Sequence, residues 1–505
     1  MSPLLPLQAT AGGAPELPTV LLSSITWVPA IAGIILLLIP VRTEAHRGRP
    51  RTAALTATGL VLLLALAMWY SFRDQGGVFA FEETRNWIPA IKVSYHLGVD
   101  GVSMPLVLLS TVLFFVASLA AVRVRDRPRA FFALLLFAET GINGTLCALD
   151  YLLFFLFWEM TLLPLFFLLA RWGGAARVQA AWKFLGFNLA GSALLLLAIL
   201  ITAASGKTFD VVTLHDAAAQ PPLIAGLAFW LSLLAFAIRL PIFPLHGWFV
   251  DSQAEASPPV GMILAGIFVT LGGYGLYRVN LGEFQEVMHR VAVPLVAGAV
   301  FSIFWGALRA FSEADLKRVI GFATLSRMGL VVVAVVSAKP VALNGGVLLM
   351  LASGLAAALL VLLASIVLER TGTVSLRSLG GLGARMPRTG ILFALGSLAL
   401  LGIPGLAAFA AQVMIFFGAY PVQRLAVSFA ILMGLLWAGL LIWIAERIFL
   451  GATPERFIRL RDAGTLELTC TVTLAGLSVI LGVFPALITD SISFGVLTLL
   501  TRGGG

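Results

Sequence analysis

The sequence predicts an all-α, polytopic membrane protein with about 14 transmembrane helices, and three observations carry that prediction. Of 505 residues, 60% are hydrophobic and 11% charged, and the mean hydropathy is +1.01. A soluble domain carries about 25% charged residues. Uncharged runs are long enough to cross a bilayer: "VLLMLASGLAAALLVLLASIVL", Val347 to Leu368, has no charge, and about 20 such residues span the hydrocarbon core. The short alternating segments of a membrane β-barrel are absent.

The spans are read in order from apolar runs and the breaks between them. The first two cover roughly 19–40 and 52–72, separated by an arginine-rich linker. A long loop, 73–102, precedes the third span at 103–122. The fourth and fifth, 130–148 and 150–170, follow closely, and Gly173 and Gly174 end the fifth. The sixth, 181–204, leads into a loop at 205–222. The seventh, 223–252, holds Pro241 and Pro244 in mid-span, and the eighth, 257–277, opens on Pro258 and Pro259. The ninth to eleventh are 291–310, 318–337 and 341–368. The twelfth, 389–420, is interrupted by "LGIPGLAAF", with Gly402, Pro404 and Gly405. The thirteenth and fourteenth, 425–446 and 466–488, flank the loop 447–465, and a short tail ends at "LLTRGGG". Two interrupted helices in corresponding halves point to inverted repeats around an ion path. Proline kinks without transport are the plainer alternative. The expected divisions are 1–129 (helices 1–3), 130–277 (a first repeat, helices 4–8), 278–446 (a second repeat, helices 9–13) and 447–505 (helix 14 and tail).

The net charge of +9 is a topology signal. Arginine concentrates in the odd-to-even loops, as in Arg42, Arg47, Arg49 and Arg51, then Arg123, Arg125, Arg127 and Arg129. The positive-inside rule places those loops in the cytoplasm and both termini outside, in a bacterial-type cytoplasmic (inner) membrane. Anionic lipid is a secondary partner; nucleic acid is not a partner. The N-terminus "MSPLLPLQATAGG" has no basic residue before its apolar part and is not a conventional signal peptide. Cys147 and Cys470 lie far apart beside apolar segments and read as buried thiols. No C-x-x-C spacing suggests zinc or an iron–sulfur cluster, and no metal site is expected. No phosphate-binding loop follows a strand.

Charges inside the membrane are the candidate site. Glu139 sits late in the fourth span, Glu159 in the middle of the fifth, Arg239 in the seventh and Arg327 in the tenth. Such residues face the bundle interior and find partners. A Glu159–Arg239 pair is the economical expectation. It serves either as a structural ion pair or as part of a proton path. His246, two residues after Pro244, lies mid-membrane and is either a proton carrier or an interhelical hydrogen bond. The five lysines, Lys92, Lys183, Lys207, Lys317 and Lys339, all fall in loops or at span ends. Lysine can lose its proton when desolvated and arginine effectively cannot.

The stretches "FWEMTLLPLFFLLARWGG", "AFAIRLPIFPLHGWFVDSQAEASPPVGMILAGIFVTLGGYGLYR" and "ADLKRVIGFATLSRMG" resemble the antiporter-like membrane subunits of complex I, the proton-translocating NADH–quinone oxidoreductase, most nearly the M type. "YHLGVDGVSMPLVLLS" and "LGIPGLAAFAAQVMIFFGAY" fit as well, and the resemblance spans nearly the whole chain. It implies the antiporter-like fold, with two inverted repeats and broken helices 7 and 12. It implies a role as a non-redox subunit of a translocase that couples quinone reduction to proton movement. It implies a hetero-oligomer with neighbouring antiporter-like and other membrane subunits. No cofactor is expected on this chain; NADH, FMN, iron–sulfur clusters and quinone would belong to other subunits. The tail's brevity argues against the L type, with its lateral helix. Related multisubunit cation/proton antiporters, membrane-bound hydrogenases and inorganic-carbon uptake complexes share the fold and remain the alternative.

In the family, a buried glutamate on helix five, lysines on helices seven and eight, and an acid or lysine on helix twelve carry the coupling. The helix-five glutamate corresponds to Glu159. The lysine positions are occupied by Arg239 and Thr270, the helix-twelve acid by Gln412, and the usual helix-ten histidine by Arg327; His246 is retained. The expectation is a kept architecture with weakened or lost pumping.

Overall fold

The computed structural model describes residues 20–38, 48–72, 78–121, 124–215 and 221–503. Arg42, Arg47, Arg73 and Arg123, which entered the charge-bias expectation, and the start of the N-terminus lie outside them.

Among the described residues, 13 helices are long and apolar enough to cross a membrane. All but the seventh coincide with the expected spans within about five residues; the seventh, Pro222–Arg239, covers only the first half of the expected 223–252, with Gly247–Glu255 a separate helix, and the twelfth span is a pair of shorter helices, Pro387–Leu401 and Ala407–Ala419. The protein is therefore a multi-pass membrane protein of the expected all-α class. The eighth, tenth and eleventh spans (Pro258–Leu281, Leu316–Ser337, Pro340–Thr371) are buried along their whole apolar windows. The first, second, ninth and thirteenth lie at the periphery, with Leu38, Leu63, Val293 and Leu435 exposed. The eleventh is 32 residues long, about 48 Å at 1.5 Å per residue. It packs on the eighth span where Gly354 meets the backbone of Gly266, and on the twelfth where Gly345 meets Ala411 and Ile415.

Two elements differ from the expectation. The segment read as a loop at 73–102 contains an antiparallel hairpin, Ala80–Ile88 paired with Val93–Val99. Its second strand alternates Val93, Tyr95, Leu97 and Val99 with Ser94, His96 and Gly98, the period of a half-buried strand. The hairpin is tied to the bundle. The Glu83 carboxylate accepts from the backbone N–H groups of Leu22 (2.7 Å) and Ser23 (3.2 Å), satisfying donors at the start of the first span.

The second correction is at the C-terminus, where only a tail was expected. The fourteenth span ends at Val483, and a further helix runs Ala486–Gly503. Ile488, Ile492, Val496 and Leu499 form its buried stripe, at the spacing of one helix face. Ser493 accepts from the Asn344 amide at 2.7 Å. Gly495 lies directly on Gly101, where an added Cβ would stand 1.8 Å from the Ser491 carbonyl oxygen. A Gly101→Ala substitution should expel this helix from its seat. Limited proteolysis would then cut near 484–486 in the variant and spare the parent protein; equal protection would contradict the packing.

His96 on the second strand bridges the hairpin to the loop before the seventh span. Its Nδ1 lies 2.6 Å from Asp210 and its Nε2 3.1 Å from Glu82. Burial opposes the imidazolium, but the bond and charge of Asp210, then of Glu82, outweigh it and raise the His96 pKa. Burial raises Asp210, yet the bonds from His96 and Thr213 bring it below the ordinary carboxylate range. The raised histidine contributes fully below its unfolded value and loses that contribution as pH rises through its folded value. The lowered aspartate contributes above its unfolded value and loses it as pH falls. The clasp is therefore strongest in mildly acidic solution. Amide exchange in Val93–Val99, corrected for intrinsic rates, should quicken as pH rises above the ordinary histidine value of about 6.5. The change should vanish in His96→Gln; a pH-independent parent would refute the clasp.

Candidate functional site

The seventh span breaks where its sequence requires. The helix Pro222–Arg239 ends before Pro241, and Gly247–Glu255 resumes the path. The Phe243–Pro244 peptide between them is cis. Carbonyls freed at a helix end must find donors. The Trp248 indole donates to the Ile238 carbonyl at 2.9 Å, and the Phe243 N–H donates to the Ser302 hydroxyl at 3.0 Å.

Arg239 is fully inside the bundle at this break, 1% exposed. The expected Glu159–Arg239 ion pair is not formed: among the described residues, no carboxylate lies within ion-pair distance of this guanidinium. Its planar face instead sits between two rings, 3.8 Å from the centroid of Trp158 and 4.1 Å from that of Phe268. Its Nη1 donates to the Thr161 hydroxyl at 3.1 Å. A guanidinium is weakly hydrated and stacks readily on aromatic faces, so the rings take the close contact while the Glu159 charge acts on it from beyond ion-pair distance. The fifth, seventh and eighth spans thus meet at one fixed cation. Trp158 and Thr161 flank Glu159, and Phe268 precedes Thr270 by two residues.

Several polar atoms here have no partner among the described residues: Nε and Nη2 of Arg239, Oε1 of Glu159 and the Trp158 indole nitrogen. On the fourth span both carboxyl oxygens of Glu139, which is fully buried, are likewise without one. Groups of this kind are normally met by internal water. Thr270 lies between two π-helical turns, Leu264–Phe268 and Leu276–Leu281, a distortion that often marks functional helices. Its hydroxyl donates back to the Ile267 carbonyl at 2.7 Å.

His246 stands apart from this cluster. Its Nε2 accepts from the Trp305 indole at 3.2 Å. Because an indole nitrogen only donates, that ring nitrogen carries no proton, and the interhelical hydrogen bond is the role the geometry displays.

The twelfth span breaks after Leu401, with Gly402 and Gly405 at φ +87° and +90°, a region that favours glycine. Two side chains converge on the freed Leu401 carbonyl. Arg327 of the tenth span donates from Nη2 at 3.2 Å and Gln412 from its amide at 3.1 Å. Each break therefore has an arginine at the carbonyl end of its first half-helix, where the helix dipole favours a cation. Sequence reasoning had found Arg239, Arg327 and Gln412 but not Trp158, Phe268 or the shared Leu401 acceptor. The adjacent "FWEM" tryptophan was the one available signal.

The broken-helix bundle with these residues at its breaks defines a membrane subunit of the antiporter-like class. The profile of the family described as "NADH:quinone oxidoreductase/Mrp antiporter, TM" matches residues 148–436, and the chain belongs to that family. It is 37% identical over 413 residues to NAD(P)H-quinone oxidoreductase chain 4 3 of Picosynechococcus sp., covering 80% of this chain and 73% of that one. It is 34% identical over 482 residues to NAD(P)H-quinone oxidoreductase chain 4 3 of Trichormus variabilis, covering 93% and 89%. A chain of respiratory complex I from Thermus thermophilus superposes with a TM-score of 0.87 at 28% identity, covering 96% of this chain and 100% of that one. A chain of the Mrp complex from Dietzia sp. shares the fold, with a TM-score of 0.84 at 21% identity and coverage of 96% and 99%.

Proposed function

We propose that the chain is an M-type antiporter-like subunit of a complex I type NADH–quinone oxidoreductase, with its own proton translocation weakened or lost. The likeness to chain 4 subunits supports the assembly. The observation that carries the weakened pumping is the commitment of the family's charge positions. Arg239 is a fixed cation stacked between rings, Thr270 is bonded within its own helix, and Gln412 is bonded to Leu401. None of these three passes a proton by changing charge. NADH, FMN, iron–sulfur clusters and quinone belong to partner subunits in this reading, and the chain contributes a non-redox part of the translocase. The cytoplasmic membrane, with arginine-rich loops inside and both termini outside, is the proposed setting.

The test uses the purified complex reconstituted in vesicles. Glu159→Gln should leave the proton-to-electron ratio nearly unchanged; a fall as large as that caused by the same change in a neighbouring antiporter-like subunit would overturn the weakened-or-lost reading. The rival assembly, a cation/proton antiporter, membrane-bound hydrogenase or inorganic-carbon uptake complex, is decided by co-purifying partners. Peripheral subunits with flavin and iron–sulfur clusters support complex I, and small antiporter subunits without redox groups would sink it.

A further inference from the structure

A groove of about 920 Å³ runs down the periphery between the ninth span (Ala292–Ser312), the end of the tenth and the start of the thirteenth (Arg424–Phe449). It opens at the end of the bundle that carries the β-hairpin. Three basic side chains line its mouth: His289, Lys339 and Arg424. Among the described residues no acidic side chain lines it, and Glu286, three residues before His289, is held by Arg290 at 2.5 Å. None of the three is in an ion pair among the described residues. The eleventh and thirteenth helices also begin here, at Pro340 and Arg424, and their dipoles add positive potential.

Below the mouth the chemistry changes abruptly. Val293, Val296, Val300 and Phe429 form an apolar wall, and Val293 is 81% exposed. From Ala292 to Val300 the wall descends two turns, about 12 Å. Half of a hydrocarbon core is about 15 Å. Cationic donors at the interface above an apolar channel one leaflet deep match one amphiphile with an anionic head and a long chain. Inorganic phosphate has no use for the valine wall, and a zwitterionic head does not answer the unpaired charges.

We propose that this groove is a binding site for an anionic phospholipid. Lys339 and Arg424 hold its phosphate, His289 donates a further hydrogen bond, and an acyl chain lies along Val293, Val296 and Phe429.

The test is native mass spectrometry of the purified, delipidated complex titrated with phosphatidylglycerol and, separately, phosphatidylcholine. The parent protein should retain phosphatidylglycerol preferentially. Lys339→Gln with Arg424→Gln should weaken that retention about tenfold or more, and Val296→Trp, which fills the channel and keeps the charges, should weaken it too. Equal retention of both lipids, no loss in the double variant, or equal binding of inorganic phosphate would overturn the proposal. Both native cysteines of this chain are buried, so a Val293→Cys variant gives the chain a single accessible thiol. Its cross-linking to a photoreactive phosphatidylglycerol supports the site, and cross-linking to a neighbouring subunit in place of lipid overturns it.

Discussion

Arg239→Ala should cost about 2–4 kcal/mol, the upper part of the range for single substitutions, and should be the most damaging single change at the seventh-span break. It removes a cation from between two rings, each contact contributing about 2 kcal/mol where water is excluded, and it strips the Thr161 hydroxyl of its donor. Thermal unfolding in detergent and the yield of assembled complex both report the loss. Arg239→Lys keeps the charge but not the flat face, so it should fall between parent and alanine. An alanine variant as stable as the parent would show that the stack holds nothing. A stably assembled alanine variant with a lowered proton-to-electron ratio would instead return Arg239 to the proton path.

The second large effect is expected at Asp100. Its Oδ2 lies 2.9 Å from Nη2 of Arg278, both side chains 5% exposed. Its Oδ1 accepts from the N–H groups of Val102 and Ser103 at the start of the third span. Arg278 also donates from Nε to the Tyr274 hydroxyl, which in turn donates to the Leu146 carbonyl. Removing one partner of a buried pair typically costs about 3–5 kcal/mol, because the other charge is left uncompensated. Asp100→Ala should reach that range and lose the helix-start bonds as well. Asp100→Ala combined with Arg278→Ala should cost less than the sum of the two single changes. Strict additivity in the melting data would show that the pair is uncoupled.

Much of this architecture was legible because lipid enforces it. Apolar length reports spans directly, and Pro241, Pro244, Gly402 and Pro404 marked both breaks. The charged residues at the site were legible for the same reason, since charge in an apolar run stands out. Their partners were not. Whether Arg239 turns to the Glu159 carboxylate or to the faces of Trp158 and Phe268 depends on helix rotation and rotamer, which the spacing of residues does not encode. The hairpin was overlooked because a seven-residue alternation is weak beside long apolar runs. The C-terminal helix was overlooked because Asp490 and its serines and threonines dilute a stripe that becomes evident only at three- and four-residue spacing.

The buried eleventh helix has a consequence for how the two breaks communicate. It touches the eighth span beside the Arg239 stack and the second half of the twelfth beside Gln412, and it bears no ionisable side chain from Pro340 to Leu368. Nothing along that rod can be charged or discharged. Any influence passing through it from one break to the other must travel as displacement, the tilt or slide of a stiff, close-packed cylinder. In this chain the link between the halves through that helix is that of a machine part, with mechanical play as its only signal.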